Sequence, residues 1–224
     1  MPKASYSEDD RIRIRSALIN AALELMAKQG IQHTTVEQIY KAVGISRTFF
    51  YSFFPTKEDI IVEALYLQQP RIIEYARSLM TSPDFSWRSA VRQFLYSCCY
   101  GEQHGIAVLT IEEQQLIFRR LSPENYNAFR QKQLRLFGNI LECFGIAADT
   151  DKINLFTNLC LSVMIVRRAI PDTLPLFVPD AADETVSFQI DAITDWLDSL
   201  RTPGILPEQY KRGGNKHGIS QQTF

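Results

Sequence analysis

Apolar residues recur in this chain at spacings of three and four almost throughout, while alternation with a period of two is scarce, so the chain is committed to helices packed on helices. Over residues 9–29, Ile14, Ala17, Leu18, Ala21 and Leu25 form one stripe, preceded by Ser7 with Asp10 three positions on, the reciprocal pairing of a capping box. Gly30 ends that helix. Thr34, followed by Glu37, opens a short helix through Val36, Ile39 and Ala42, and Gly44 supplies its left-handed stop. Ser46 caps a third helix over residues 47–54, closed by Pro55. Thr56-Lys57-Glu58-Asp59 then begins a fourth with acids in its first turn, where the helix dipole favours them.

That fourth helix is expected to reach about residue 80, with a kink or break at Pro70, which lacks an amide donor and clashes with the preceding turn. Further helices are expected over residues 86–101 and 106–121, then one from Ser122-Pro123, with proline at its first position. This last carries Tyr126, Phe129, Leu136, Phe137 and Ile140 on one face and Asn127, Gln131, Lys132 and Arg135 on the other. Residues 151–170 are apolar around the whole helical circumference, which predicts burial on every side. After a proline-rich connection over residues 171–179, a final helix over about 183–201 sets Val186, Ile190, Ile193, Leu197 and Leu200 at alternating spacings of four and three, the seam of a helix lying along a partner. Residues 202–224 hold no periodic core and are expected to be a disordered tail.

Composition narrows the function classes. A chain of 224 residues with 46% apolar and 22% charged residues and a net charge of −1 can bury a core, which a disordered chain cannot. No run approaches the roughly 20 apolar residues of a membrane span, and no apolar signal segment follows the first charges, so a cytoplasmic protein without a membrane partner is expected. The four cysteines, two of them adjacent at Cys98 and Cys99, lack metal or redox spacing and read as reduced, buried thiols. His33, His104 and His217 stand far apart without paired carboxylates or cysteines, so neither a metal site nor a cofactor is expected. There is no nucleophile elbow and no phosphate-cradling glycine loop, which argues against an enzyme.

The feature that carries chemistry is the corner Val43-Gly44-Ile45-Ser46 between two short helices, the arrangement of a helix-turn-helix that lays its second helix in the DNA major groove. Its surroundings are basic. From residue 11 to 57 there are seven basic residues (Arg11, Arg13, Arg15, Lys28, Lys41, Arg47, Lys57) against two acids, Glu24 and Glu37, an asymmetry hidden in the near-neutral total. On spacing alone, an all-helical small-molecule-binding protein or enzyme whose corner imitates the motif is the alternative.

Thr34-Thr35-Val36-Glu37-Gln38-Ile39, then Gly44-Ile45-Ser46-Arg47-Thr48, Phe50-Tyr51, Phe54-Pro55 and Lys57-Glu58 closely resemble the N-terminal domain of the TetR family of transcriptional regulators, over about residues 9–66. The resemblance implies an all-α protein: a three-helix helix-turn-helix domain over residues 1–56 and a larger helical ligand-binding and dimerisation domain over 57–201. It implies a homodimeric, ligand-responsive repressor that binds a palindromic double-stranded DNA operator and is released by a small-molecule effector. Thr35 and Lys57, at helix N-termini, would meet phosphates. Ser46 begins the recognition helix, whose Arg47 and Thr48 would reach base edges, arginine forking onto guanine and Thr48 and Phe49 meeting thymine methyls, while Tyr51 meets the backbone. Phe50, Phe53 and Phe54 are read as core. Three departures stand out: Tyr40 where the family usually has alanine, Phe53 where histidine is frequent and Ser52 where a basic residue is common. They put in doubt the crossing angle of the short helices and two backbone contacts.

In the larger half, polar groups in apolar company mark the expected effector site. Gln133 lies in the stripe that holds Phe129, and Tyr96 and Tyr100 stand one turn apart on the face opposite Trp87, Val91, Phe94 and Cys98. An apolar or aromatic effector with one or two hydrogen-bonding groups would suit them. The last two helices, through Leu161, Val186, Ile190, Ile193 and Leu197, carry more apolar surface than one protomer would be expected to cover, and so are read as the dimer interface.

Overall fold

The computed structural model describes residues 6–101, 104, 106–107, 109, 111–170 and 178–201, and among these every regular element is helical. The first helix, α1, spans Glu8–Gln29, opened by the expected Ser7/Asp10 capping box and closed at Gly30, whose φ of 82° suits glycine alone. The second, α2, spans Val36–Val43, and its capping box is Thr35 with Gln38 rather than Thr34 with Glu37. Thr34 is instead fully buried, its hydroxyl donating to the Gly30 carbonyl at 2.8 Å, so the cap falls one residue later. Gly44, in the left-handed region, turns the chain into α3, Arg47–Tyr51, capped by Ser46. This helix is three residues shorter than its spacing suggests, because the chain tightens into three-residue hydrogen bonds at Ser52 and Phe53 before Phe54 is buried.

The fourth helix, α4, runs from Lys57–Thr81 through Pro70 without the expected break. The proline ring lies on the exposed side, so the core does not have to give way to it. Then follow α5 (Trp87–Cys99), α6 (Ile111–Arg120, five residues shorter at its start than expected), α7 (Pro123–Cys143), α8 (Thr150–Ala169) and α9 (Ala182–Ser199), the last entered through a short 3₁₀ turn at Pro179–Ala181. Most of the proline-rich connection and the whole expected tail lie outside the described residues. Among the described residues no helix is long and apolar enough to cross a membrane.

Two apolar cores share α4. The first half of this helix, Ile60 to Leu65, packs with α1 to α3 and also with Ala107, Ile117 of α6 and Phe129 of α7. Its second half, Ile72 to Leu79, joins α5, α7, α8 and α9 in a core where Phe94, Phe144, Phe156 and Phe137 meet edge to face. The expected dimer seam belongs here: Val186, Ile190, Ile193 and Leu197 are all buried inside the protomer. Two cross-helix ion pairs, Arg88 with Asp195 and Arg92 with Asp191, hold α9 along α5, and the seam's partner is therefore α5 together with α8 of the same chain. Nor is α8 buried all round. Phe156, Thr157, Cys160 and Val163 form its buried stripe, while Leu155 stays 46% exposed and Leu161 is half-buried. The four cysteines are free, with Cys98, Cys99 and Cys160 buried.

Candidate functional site

The outer face of the N-terminal domain is built from α2, the Gly44 turn and α3. The apolar sides of both helices turn inward through Ile39 and Phe50, each fully buried, and this leaves Ser46, Arg47, Thr48 and Tyr51 exposed in a row. The Ser46 hydroxyl accepts the Phe49 amide at 3.2 Å, so this side chain sets the angle of α3. Arg47 makes no salt bridge among the described residues, and its guanidinium lies 5.8 Å from the Tyr51 ring centroid. Thr48 points to solvent beside it.

Other expected contacts are partly committed already. The Thr35 hydroxyl and amide are both tied to Gln38 in the capping box, which leaves the first-turn amides of α2 as its anion-facing groups. Lys57 is half-buried, and its ammonium donates to the Ile31 carbonyl at 2.9 Å, lashing the α1–α2 turn to α4; burial lowers its pKa. Phe49 does not stand free for a thymine methyl. Its ring stacks on Tyr6 with centroids 4.5 Å apart, and Phe53 meets it edge-on with Arg11 lying 4.7 Å over Phe53. Tyr6 does not stand out in the sequence and Arg11 counts there only as one of seven basic residues, since both precede the first buried turn of α1 and carry no motif.

Where the family pattern is broken, the structure accommodates the change locally. Tyr40 is half-buried at the edge of the N-terminal core, and Ser52 turns its hydroxyl onto the Phe49 carbonyl.

A cavity of about 130 Å³ lies between the two cores, walled by α4, α5, α6, α7 and α8. Phe129 and Gln133 line it as expected, and so does Leu161, which therefore faces a cavity in its own protomer. Tyr96 and Tyr100 do not. They stack on each other on the far face of α5, where the Tyr100 hydroxyl donates to Asp183 at 2.6 Å and Arg167 covers its ring, while Phe94, Leu95 and Cys98 form the cavity wall. Burial, and after it the Asp183 bond, raise the pKa of the Tyr100 hydroxyl.

The cavity and the reading face are joined by α4. The Gln68 amide both donates to and accepts from the Ala107 backbone, each at 3.0 Å, clamping α4 to the segment that leads into α6. In the first turn of α4, Glu58 is buried and accepts from Arg120 at the end of α6 at 3.0 Å. As a first-turn acid, Glu58 reads in sequence as a solvent-facing dipole partner, and only the packing of α6 puts it inside.

Residues 18–64, the stretch just described, match the model of bacterial regulatory proteins, tetR family. The N-terminal domain belongs to the TetR family. A stretch of 48 residues is 48% identical to the HTH-type transcriptional regulator TcmR of Streptomyces glaucescens, covering 21% of each chain, so the match spans about a fifth of that relative's length. The likeness of fold extends much further. A TetR-family transcriptional regulator of Pectobacterium atrosepticum superposes with a TM-score of 0.56 at 14% identity over 88% of this chain and 98% of that one. FadR of Thermus thermophilus, a TetR-family transcriptional repressor solved with lauroyl-CoA, does so with a TM-score of 0.51 at 17% identity over 85% and 98%. The all-helical architecture of the larger half is thus that of TetR-family proteins as well.

Proposed function

We propose that this protein is a ligand-responsive transcriptional regulator: a cytoplasmic homodimer that represses by binding a palindromic double-stranded DNA operator and is released by a small apolar or aromatic effector. The observation that carries this reading is the pair Arg47 and Thr48, exposed in the first turn of the helix that follows the Gly44 turn, within a TetR-family domain. Arginine there can fork onto a guanine edge and threonine can meet a thymine methyl. The first-turn amides of α2 supply positioning contacts to phosphate. Lys57, already bonded to Ile31, contributes charge more than a free contact. A related fold solved with a ligand, FadR with lauroyl-CoA, supports assigning the cavity to the effector.

Dimerisation is assigned to α8 and α9, on the faces that the protomer leaves open rather than on the seam. Phe188 is 74% and Leu155 46% exposed, and between the two helices an apolar groove is lined by Leu159, Val166, Ala192 and Trp196. Two copies joined there would present their reading helices to half-sites about 34–36 Å apart or a multiple of that spacing. An effector between the cores would touch α4, α6 and α7 at once, and it can shift the DNA-binding equilibrium only by its differential affinity for the two states.

The test is binding to DNA from upstream of the gene as salt is raised. A regulator that neutralises phosphates loses affinity steeply, with a slope set by the number of contacts. Arg47→Ala is expected to weaken specific binding by about 1–3 kcal/mol and relax one base preference. Absence of any salt-dependent DNA binding would instead favour an all-helical ligand-binding protein with an imitated corner.

A further inference from the structure

The lining of the central cavity says more about its ligand than that it is apolar. Among the described residues that line it, none carries a charge at neutral pH. The two thiols there, Cys98 and Cys160, are held protonated because burial disfavours the thiolate. Of the three amides at the wall, Gln68 is held by its two bonds to Ala107. Gln114 of α6 and Gln133 of α7 have no hydrogen-bond partner among the described residues, and each can both donate and accept. Everything else at the wall is aliphatic or aromatic, with Phe94, Phe118, Phe129 and Phe137 supplying ring faces and edges. The volume of about 130 Å³ is close to that of engineered apolar cavities that hold one benzene, about 150 Å³.

We infer that the cavity takes an uncharged molecule of about single-ring size bearing a neutral hydrogen-bonding group such as a hydroxyl, bonded by Gln114 and Gln133, and that it rejects carboxylates and ammonium ions of the same shape. The inference rests on reading this cavity as the effector site. An ionised group entering here leaves water and meets no counter-charge, a cost far above what two amides return. A hydroxyl meets amides that otherwise lack protein partners, and the rest of the ring replaces water against apolar walls.

The experiment is calorimetric titration of the full chain with four toluene-derived probes: 4-methylphenol, toluene, 4-methylbenzoate and 4-methylbenzylammonium. The phenol is expected to bind, with the two ions at least about 30-fold weaker. Gln133→Leu and Gln114→Leu should each weaken the phenol about 2- to 10-fold, the worth of one hydrogen bond, while toluene affinity stays within about twofold of the wild type. Comparison with toluene separates loss of a bond from loss of fold, which would weaken both. Equal or tighter binding of 4-methylbenzoate or the ammonium ion, no binding of the phenol at millimolar concentration, or phenol affinity undiminished in both glutamine variants would each overturn the inference. DNA binding by the unliganded protein is measured apart. If it fails while the neutral probe is still selected, the regulator reading falls and the assignment of the cavity stands.

Discussion

Tyr6 stacks on Phe49 and Arg11 covers Phe53, so side chains from the start of α1 brace the recognition helix from outside its own motif. An aromatic pair of this kind contributes about 0.5–1.5 kcal/mol beyond its buried area. Tyr6→Ala is therefore expected to weaken DNA binding severalfold by loosening α3 while moving the melting temperature little, and Tyr6→Phe should restore it; gel-shift titrations with a melting curve for each variant check this. Glu58 poses a different problem. Its side chain is 4% exposed and Arg120, its cationic partner among the described residues, is 56% exposed, so the pair is dry at the acid end only. The second Glu58 oxygen has no hydrogen-bond partner among the described residues. Arg120→Ala strands that carboxylate and should cost about 1–3 kcal/mol in urea unfolding. Combining Glu58→Met with Arg120→Leu should recover most of the loss, because an apolar pair needs no compensation for desolvated charge.

Among the elements, α4 has the most to do: it begins behind the reading head, forms part of both cores and carries Pro70 near its middle. Proline inside a helix removes one hydrogen bond and crowds the preceding turn, a cost of about 3 kcal/mol in a helix interior. The unbroken course of α4 means that packing on both sides outweighs this cost. Pro70→Ala should therefore raise stability, by up to about 3 kcal/mol, measurable by calorimetry. If flexibility at this point serves switching, the same variant should change the factor by which effector and DNA weaken each other's binding, and titrating effector with and without DNA reads that factor. The crossing of α7 and α8 is tight for another reason: a Cβ added at Gly138 would lie 3.2 Å from Ile153, so the two helices approach where one side chain is missing.

For the whole molecule, the division at residue 56 cuts through a continuous core, since Ala107, Ile117 and Phe129 from the larger half pack among the residues of α1 to α4. Packed side chains, the Gln68 clamp and the Glu58–Arg120 pair join α6 and α7 to the helices behind the N-terminal face. Subunit association belongs at this scale too. Leu197 and Ile193 are poor places to test it, because a charge at either would enter the protomer's own core and unfold it. Phe188→Glu is the better probe: at 74% exposure the side chain bears little of the protomer's stability, so the melting temperature of the monomer should hold while sedimentation shifts from dimer to monomer and DNA affinity falls. A fully dimeric Phe188→Glu protein would remove α9 from the interface.

What the sequence by itself determined are features set by bonds within a few residues: the Ser7 capping box, the start of α4 at Thr56 with its first-turn acids, the left-handed stop at Gly44, the Ser46 cap and the resulting exposure of Arg47 and Thr48. Each depends on a side chain and a backbone group at most four positions apart, and sequence displays such neighbours directly. The tertiary structure alone decided which surface covers each stripe. The seam of α9 demanded a partner without naming it, and packing supplied α5 and α8 of the same chain. On α5, two faces competed for the cavity, and the one holding Phe94 and Cys98 took it because Tyr100 found Asp183 on the other side. Glu58, Thr34 and Phe49 changed roles for the same reason, since burial is a property of what lies across the gap. Hydrophobic attraction has no direction of its own, so periodicity marks which face must be covered and only the assembled helices decide by what.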